Sequence, residues 1–139
     1  MNRNLKFKRR PILSGVLVAL LFAAGCSQRH NTLSEEEIAD GWQLLFDGKT
    51  LDQWKDYNGD SLTMPWHVVD GCIQAHGDGS DLTGYIVTRK QYENFILDWD
   101  WKLSYGGNSG MLYHVVEDPY FKVPYVTGPE YQLIDEAGW

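Results

Sequence analysis

Cysteine is nearly absent from this 139-residue chain: there are two, Cys26 and Cys72, and no Cys-x-x-Cys pair. That is too few for a disulfide framework, and the spacing fits no thiol redox motif. Basic charge is scarce as well, with 12 Lys and Arg against 19 Asp and Glu. Five of the basic residues (Arg3, Lys6, Lys8, Arg9 and Arg10) lie within the first ten positions. The remainder keeps 12 − 5 = 7 basic residues against all 19 acidic ones, a net charge near −12. Such a surface repels phosphate backbones, so no nucleic-acid partner is expected. Gly-x-Ser-x-Gly, His-Glu-x-x-His and the phosphate loop are all missing. No internal repeat and no low-complexity segment occurs. The apolar run at residues 12–24 falls short of the roughly 20 residues that a spanning helix needs.

The start of the chain is ordered as an export signal. A basic head without acids precedes the uncharged apolar run, which ends in Ala23-Ala24-Gly25-Cys26. Positive head, short apolar middle and small-residue cleavage site are the parts of a secretory leader. The cysteine resembles that of the bacterial lipobox, where it is lipidated and becomes the mature N-terminus. Ala23 stands where that box usually has leucine. The expectation is a lipoprotein signal peptide over residues 1–25 and membrane attachment through lipid on Cys26, each buried methylene contributing about 0.8 kcal/mol. Two other readings of the segment are an ordinary leader with an incidental cysteine and a retained transmembrane helix. Ser27 follows, with no acidic run, which by resemblance to lipoprotein sorting rules favours the periplasmic face of the outer membrane. An acylated Cys26 leaves Cys72 unpaired, and a small apolar core position is expected for it.

Residues 26–33 are polar and unpatterned and read as a tether. Ser34 with Glu37 is a capping-box signature and Gly41 a stop, so one short helix is expected between them. From Trp42 the pattern changes to short strands at residues 42–46, 66–69, 72–76 and 85–88. Asp70-Gly71 between two of them is a two-residue hairpin signal. His76 and the loop 77–81 look faintly like a calcium loop but lack its spacing and closing Glu, and a polar turn is the better reading. Residues 95–105 alternate apolar with polar, which predicts a long strand with Trp99 and Trp101 in the core. Gly106-Gly107-Asn108 should turn the chain into strands at 111–116 and 130–135, with a long loop between them. Many short strands joined by turns predict an antiparallel β-sandwich or barrel. The strand at Glu130 would still need neighbours where the chain stops at Gly138-Trp139, so the sequence reads as the front part of a longer protein.

Two segments hold candidate chemistry. Glu130 and Gln132 share one face of their strand, opposite Tyr131 and Leu133. That polar pair is either solvated or lines a groove. Tyr113 is expected on a face with Met111 and Val115, and His114 with Leu112 and Val116, where a histidine is more often structural than catalytic. Gly107-Asn108-Ser109-Gly110-Met111-Leu112-Tyr113 and Thr127-Gly128-Pro129-Glu130-Tyr131-Gln132-Leu133-Ile134-Asp135 resemble the two best motifs of the 3-keto-disaccharide hydrolase domain family. The opening at residues 41–54 and the hairpin Trp66-His67-Val68-Val69-Asp70-Gly71 are similar to that family in the same order. The resemblance covers residues 34–139. It implies an all-β antiparallel jelly-roll β-sandwich of the concanavalin A-like type, incomplete at the C-terminus, with one short N-terminal helix.

The resemblance further implies cleavage of the glycosidic bond of a sugar already oxidised at C3. A ketone there acidifies the C2 proton, so one base and a donor for the enolate oxygen suffice. Direct hydrolysis would need two carboxylates flanking the bond. Glu130 and Asp135, five apart, point to opposite faces of a regular strand. Glu130 is the candidate base or metal ligand, and His114, at a position that varies in the family, is a second candidate base. Asn108, Ser109, Tyr113, Gln132 and Asp135 are the candidate substrate-binding residues. A divalent metal is compatible, although no spacing demands one. The competing readings are a non-catalytic carbohydrate-binding module rich in Trp and Tyr, and a structural protein of the envelope.

Overall fold

The computed structural model describes residues 6–8 (as backbone), 30–63, 65–75 and 84–136. Cys26, nearly all of the expected leader, the loop at 76–81 and Gly138-Trp139 lie outside the described residues. The elements are β1 (Lys6–Lys8), α1 (Glu35–Ala39), β2 (Gln43–Leu44), β3 (Trp54–Asp56), β4 (Trp66–Val69), β5 (Cys72–Ala75), β6 (Ile86–Thr88), β7 (Ile96–Asp98), β8 (Asn108–Leu112) and β9 (Glu130–Ile134). A 3₁₀ turn at Pro124–Val126 precedes β9. All strand pairs are antiparallel among the described residues, in the orders β2-β1-β7, β3-β6, β4-β5 and β8-β9. The fold is all-β with one minor helix. Among the described residues, no helix is long and apolar enough to cross a membrane.

Local chemistry sets the helix and the hairpin. Glu37 N donates to Ser34 Oγ at 3.2 Å, and Ser34 N donates back to the Glu37 carboxylate at 2.8 Å. Two otherwise orphaned donors of α1 are thereby satisfied. Gly41 (φ 84°) reverses the chain, with Gly41 N donating to Ile38 O and Trp42 N to Glu37 O, both at 3.0 Å. That pair of bonds closes the helix C-terminus as a Schellman motif. Asp70 (φ 50°) and Gly71 (φ 71°) form the tight turn between β4 and β5, placing Val69 opposite Cys72. Cys72 is exposed, not in the core. It closes the hairpin on the outer face beside Gln74, while Val68 and Ile73 turn inward.

The core is centred on Leu45 and Trp54, with Leu51, Ile73, Ile86, Tyr92, Phe95 and Leu97 around them. Trp54 Nε1 donates to Leu45 O at 2.8 Å, so the buried indole leaves no unpaired donor. β3, which carries Trp54, was not anticipated. The strand expected over 42–46 shrinks to β2 because Leu45 and Phe46 leave the ladder to be buried.

The long strand expected over 95–105 is cut to β7. Alternation makes a strand only where a neighbouring backbone accepts its hydrogen bonds. β7 finds one over three residues, in β1, and beyond Asp98 the chain leaves the ladder. Trp99 is half-buried, and Trp101 is 49% exposed and Tyr105 83%, so neither of the two tryptophans expected in the core is fully buried. β1 comes from the head of the expected leader and lies between β2 and β7, with Phe7 opposite both Gln43 and Leu97.

Candidate functional site

The second hairpin-like unit, β8 with β9, carries the two motifs. Its register sets Leu112 opposite Glu130, Gly110 opposite Gln132 and Asn108 opposite Ile134. Asn108, Gly110, Glu130 and Gln132 therefore share one face. Ser109, Met111, Tyr131 and Leu133 occupy the other. There Leu133 is buried, and Tyr131 meets Trp99 edge to face, with ring centroids 5.5 Å apart. The second face is anchored to the protein and the polar face looks outward.

On the polar face, both long side chains lean the same way. Gln132 Nε2 reaches diagonally to Asn108 Oδ1 and also donates to Ser109 O at 3.0 Å. Glu130 reaches diagonally to lie over Gly110, where an added Cβ would overlap its Cγ, Cδ and Oε1. A carboxylate, a primary amide and a carboxamide oxygen thus lie along one short stretch of sheet. Glu130, Gln132, Asn108 and Ser109 are all exposed. The Ser109 side chain belongs to the opposite face, and only its carbonyl joins the cluster.

The ends of the unit are fixed by turns. Gly106 N donates to Asp135 Oδ2 at 2.8 Å and Asp135 N donates to Gly107 O at 3.0 Å. The Asp135 side chain is therefore engaged in holding the Gly106 (φ 66°) turn that delivers Asn108. At the other end, Tyr113 N donates to Pro129 O at 3.1 Å. Val116 N donates to Thr127 Oγ1 at 3.1 Å, and that hydroxyl donates to Pro124 O at 3.1 Å. Gly128 is buried, and a Cβ there would lie 2.7 Å from Tyr113 O. Thr127-Gly128-Pro129 is thus laid flat against residues 113–116 and sets the starting position of Glu130.

His114 does not continue the strand. Its φ of 53° breaks the alternation, so the faces expected for Tyr113 with Val115 and for His114 with Val116 do not form. The His114 ring lies against Phe95 (5.6 Å between centroids) and Tyr113 (5.8 Å). Both His114 and Tyr113 remain exposed at the rim of the unit.

The loop 113–129 is tied down by residues that the sequence reading passed over. Asn58 (φ 59°) donates through Nδ2 to Asp118 O at 3.0 Å and Phe121 O at 2.9 Å. Its backbone N–H donates to Glu117 Oε1 at 3.0 Å, and Lys55 Nζ meets the same oxygen at 2.8 Å. Tyr57 Oη donates to Val116 O at 2.9 Å. An asparagine just after a strand, able to hold a positive φ, was the available signal. Among the described residues, no group of three His, Cys, Asp or Glu side chains is placed to hold a metal ion.

An antiparallel all-β chain with a carboxylate and amides on one sheet face defines a class compatible with work on carbohydrates. Residues 41–139 match the family of 3-keto-alpha-glucoside-1,2-lyase-like domains, and the chain belongs to that family. It is 34% identical over 110 residues to a 3-keto-disaccharide hydrolase of Bacteroides thetaiotaomicron, covering 70% of this chain and 38% of the relative. It is 52% identical, with a TM-score of 0.67, to a crystal structure of a proposed glycosyl hydrolase from Parabacteroides distasonis, covering 76% of this chain and 46% of that one. The chain therefore spans less than half the length of these relatives.

Proposed function

We propose that the protein cleaves the glycosidic bond of 3-keto-disaccharides or 3-keto-glycosides, with Glu130 as the base. One observation carries this: the Glu130 side chain lies across Gly110 on the face shared by Asn108 and Gln132. A proton-abstracting carboxylate then sits beside the Asn108 amide, a donor for an adjoining carbonyl, which Gln132 holds in place through its own Nε2. The C3 ketone makes the C2 proton acidic. Glu130 removes that proton, the electron pair forms the C1–C2 double bond, and the C1–O bond breaks with its pair on the leaving oxygen. That oxygen takes up a proton, and water adds afterwards to give the hydrolysed sugar. The family's description as a 1,2-lyase-like domain supports elimination across these two carbons, and the relative's name supports net hydrolysis.

Gln132 and Asn108 would orient the keto oxygen or a neighbouring hydroxyl. Tyr113 and His114, at the rim, would contact the sugar, and His114 is the alternative base. Asp135 and Ser109 would contribute by shaping β8 and β9. No step in this scheme passes through a metal ion. The reading extends to a jelly-roll sandwich of the concanavalin A-like type, to a leader over residues 1–25 with tether 26–33, and to a lipid anchor on Cys26 at the periplasmic face of the outer membrane.

The test is release of the unoxidised leaving sugar, glucose, from 3-keto-trehalose by the full-length protein and by Glu130→Gln. Loss of a positioned base should lower the rate by about 10²–10⁴-fold. An unchanged rate would remove Glu130 from the mechanism. Binding of plain glycans without turnover of keto-sugars would instead identify a carbohydrate-binding module.

A further inference from the structure

Gly110 breaks a local rule. Glycine in a strand interior weakens the strand relative to alanine, so its presence there calls for a reason. At Gly107 and Gly128 the reason is the backbone: a Cβ would come within 2.8 Å of Ser104 O and 2.7 Å of Tyr113 O respectively. At Gly71 and Gly106 it is a positive φ. Gly110 has neither constraint. Its φ lies outside the positive range, and the three atoms nearest to an added Cβ all belong to the Glu130 side chain. The space left by the missing side chain is occupied by the carboxylate arm that the proposed mechanism uses.

We infer that Gly110 is a positioning residue, whose missing side chain lets the Glu130 carboxylate lie across β8 beside Gln132 rather than project into solvent. The inference rests on the reading of Glu130 as the base. Reacting groups work at contact distance, so displacing a carboxylate by the width of a methyl group moves it out of reach of the C2 proton. A shift of about 1 Å can cost about a hundredfold in rate. The nearest atoms that the added methyl of Gly110→Ala meets belong to a flexible side chain, and the backbone φ accepts alanine, so the variant should fold.

In the full-length protein, Gly110→Ala should melt at or above the wild-type temperature and retain its KM while kcat for a 3-keto-glucoside falls about a hundredfold. In the Glu130→Gln background, which has no base left to position, adding Gly110→Ala should cost little more. A wild-type kcat in Gly110→Ala, or an equal loss in both backgrounds, would overturn the inference. So would a fall in melting temperature that accounts for the lost activity. A crystal structure of the wild-type protein provides a check independent of turnover. A Glu130 carboxylate found away from residue 110 defeats the positioning role, whereas one found there without any keto-sugar cleavage defeats only the proposed function.

Discussion

Asp47 Oδ1 accepts the Thr50 and Lys49 amides at 2.7 and 2.8 Å, closing the turn that follows the buried Leu45 and Phe46. These amides, Thr50 first, hold its carboxyl below the ordinary 3.8 although the residue is exposed. A depressed folded value means that the unfolded chain binds the proton more readily. The turn therefore adds stability above the unfolded value and loses it as the pH falls through the lowered folded one. Asp47→Ala should lower the melting temperature at neutral pH, and the difference from wild type should shrink in acid below that window. An equal difference at both pH values would show that the carboxylate charge is not involved. The same scale shows what single residues disclosed in the sequence. Glu130 and Gln132 were placed on one face by the two-residue period of a strand, and they lie there. His114 was placed by the same period and does not follow it, because a left-handed residue resets the alternation and only Gly announces that conformation reliably. Gly110 carries no signal of its own in the sequence, since its significance depends on which residue lies diagonally across the ladder.

Elements were legible where their signals are local. The capping box at Ser34 and Glu37 and the Asp70-Gly71 turn act within a few residues, and both formed as expected. The alternation over 95–105 depends on a partner strand far away in sequence, and it yielded a strand only as far as that partner ran. Asn58 belongs with these non-local cases: it binds a loop some 60 positions away, as its bonds to Asp118 O and Phe121 O show. Asn58→Ala removes both side-chain bonds and forces alanine into a positive φ. A cost of about 2 kcal/mol is expected from two hydrogen bonds worth about 1 kcal/mol each. Hydrogen exchange should show the Tyr113 and Val116 amides losing protection, because the loop they border is freed. Unaltered exchange there would mean that Thr127 and Gly128 hold the loop without the clasp.

At the scale of the molecule, the all-β class and the family were readable from the order of short strands and motifs. The pairing of β1 was not. Residues 6–8 read as the charged head of a leader, and charge patterning says nothing about which backbone will accept their hydrogen bonds. On the reading of residues 1–25 as that leader, a chain beginning at Cys26 has β2 and β7 separated by two strand spacings, roughly 10 Å, with no backbone between them. Amides at residues 43–44 and 96–98 should then exchange faster than in the uncut chain, while β8 and β9 stay protected. Equal exchange in the two forms would show that the seat is not used in solution.

If residues 1–25 are the leader proposed above, translocation and folding compete for the same three residues, 6–8. Under that proposal, a chain that completes this sheet inside the cell would have its address label stitched into the weave, where the export machinery would have to tear it out before reading it. On that proposal, threading through the membrane would have to outrun sheet closure, and cleavage before Cys26 would remove the middle strand of this ladder for good.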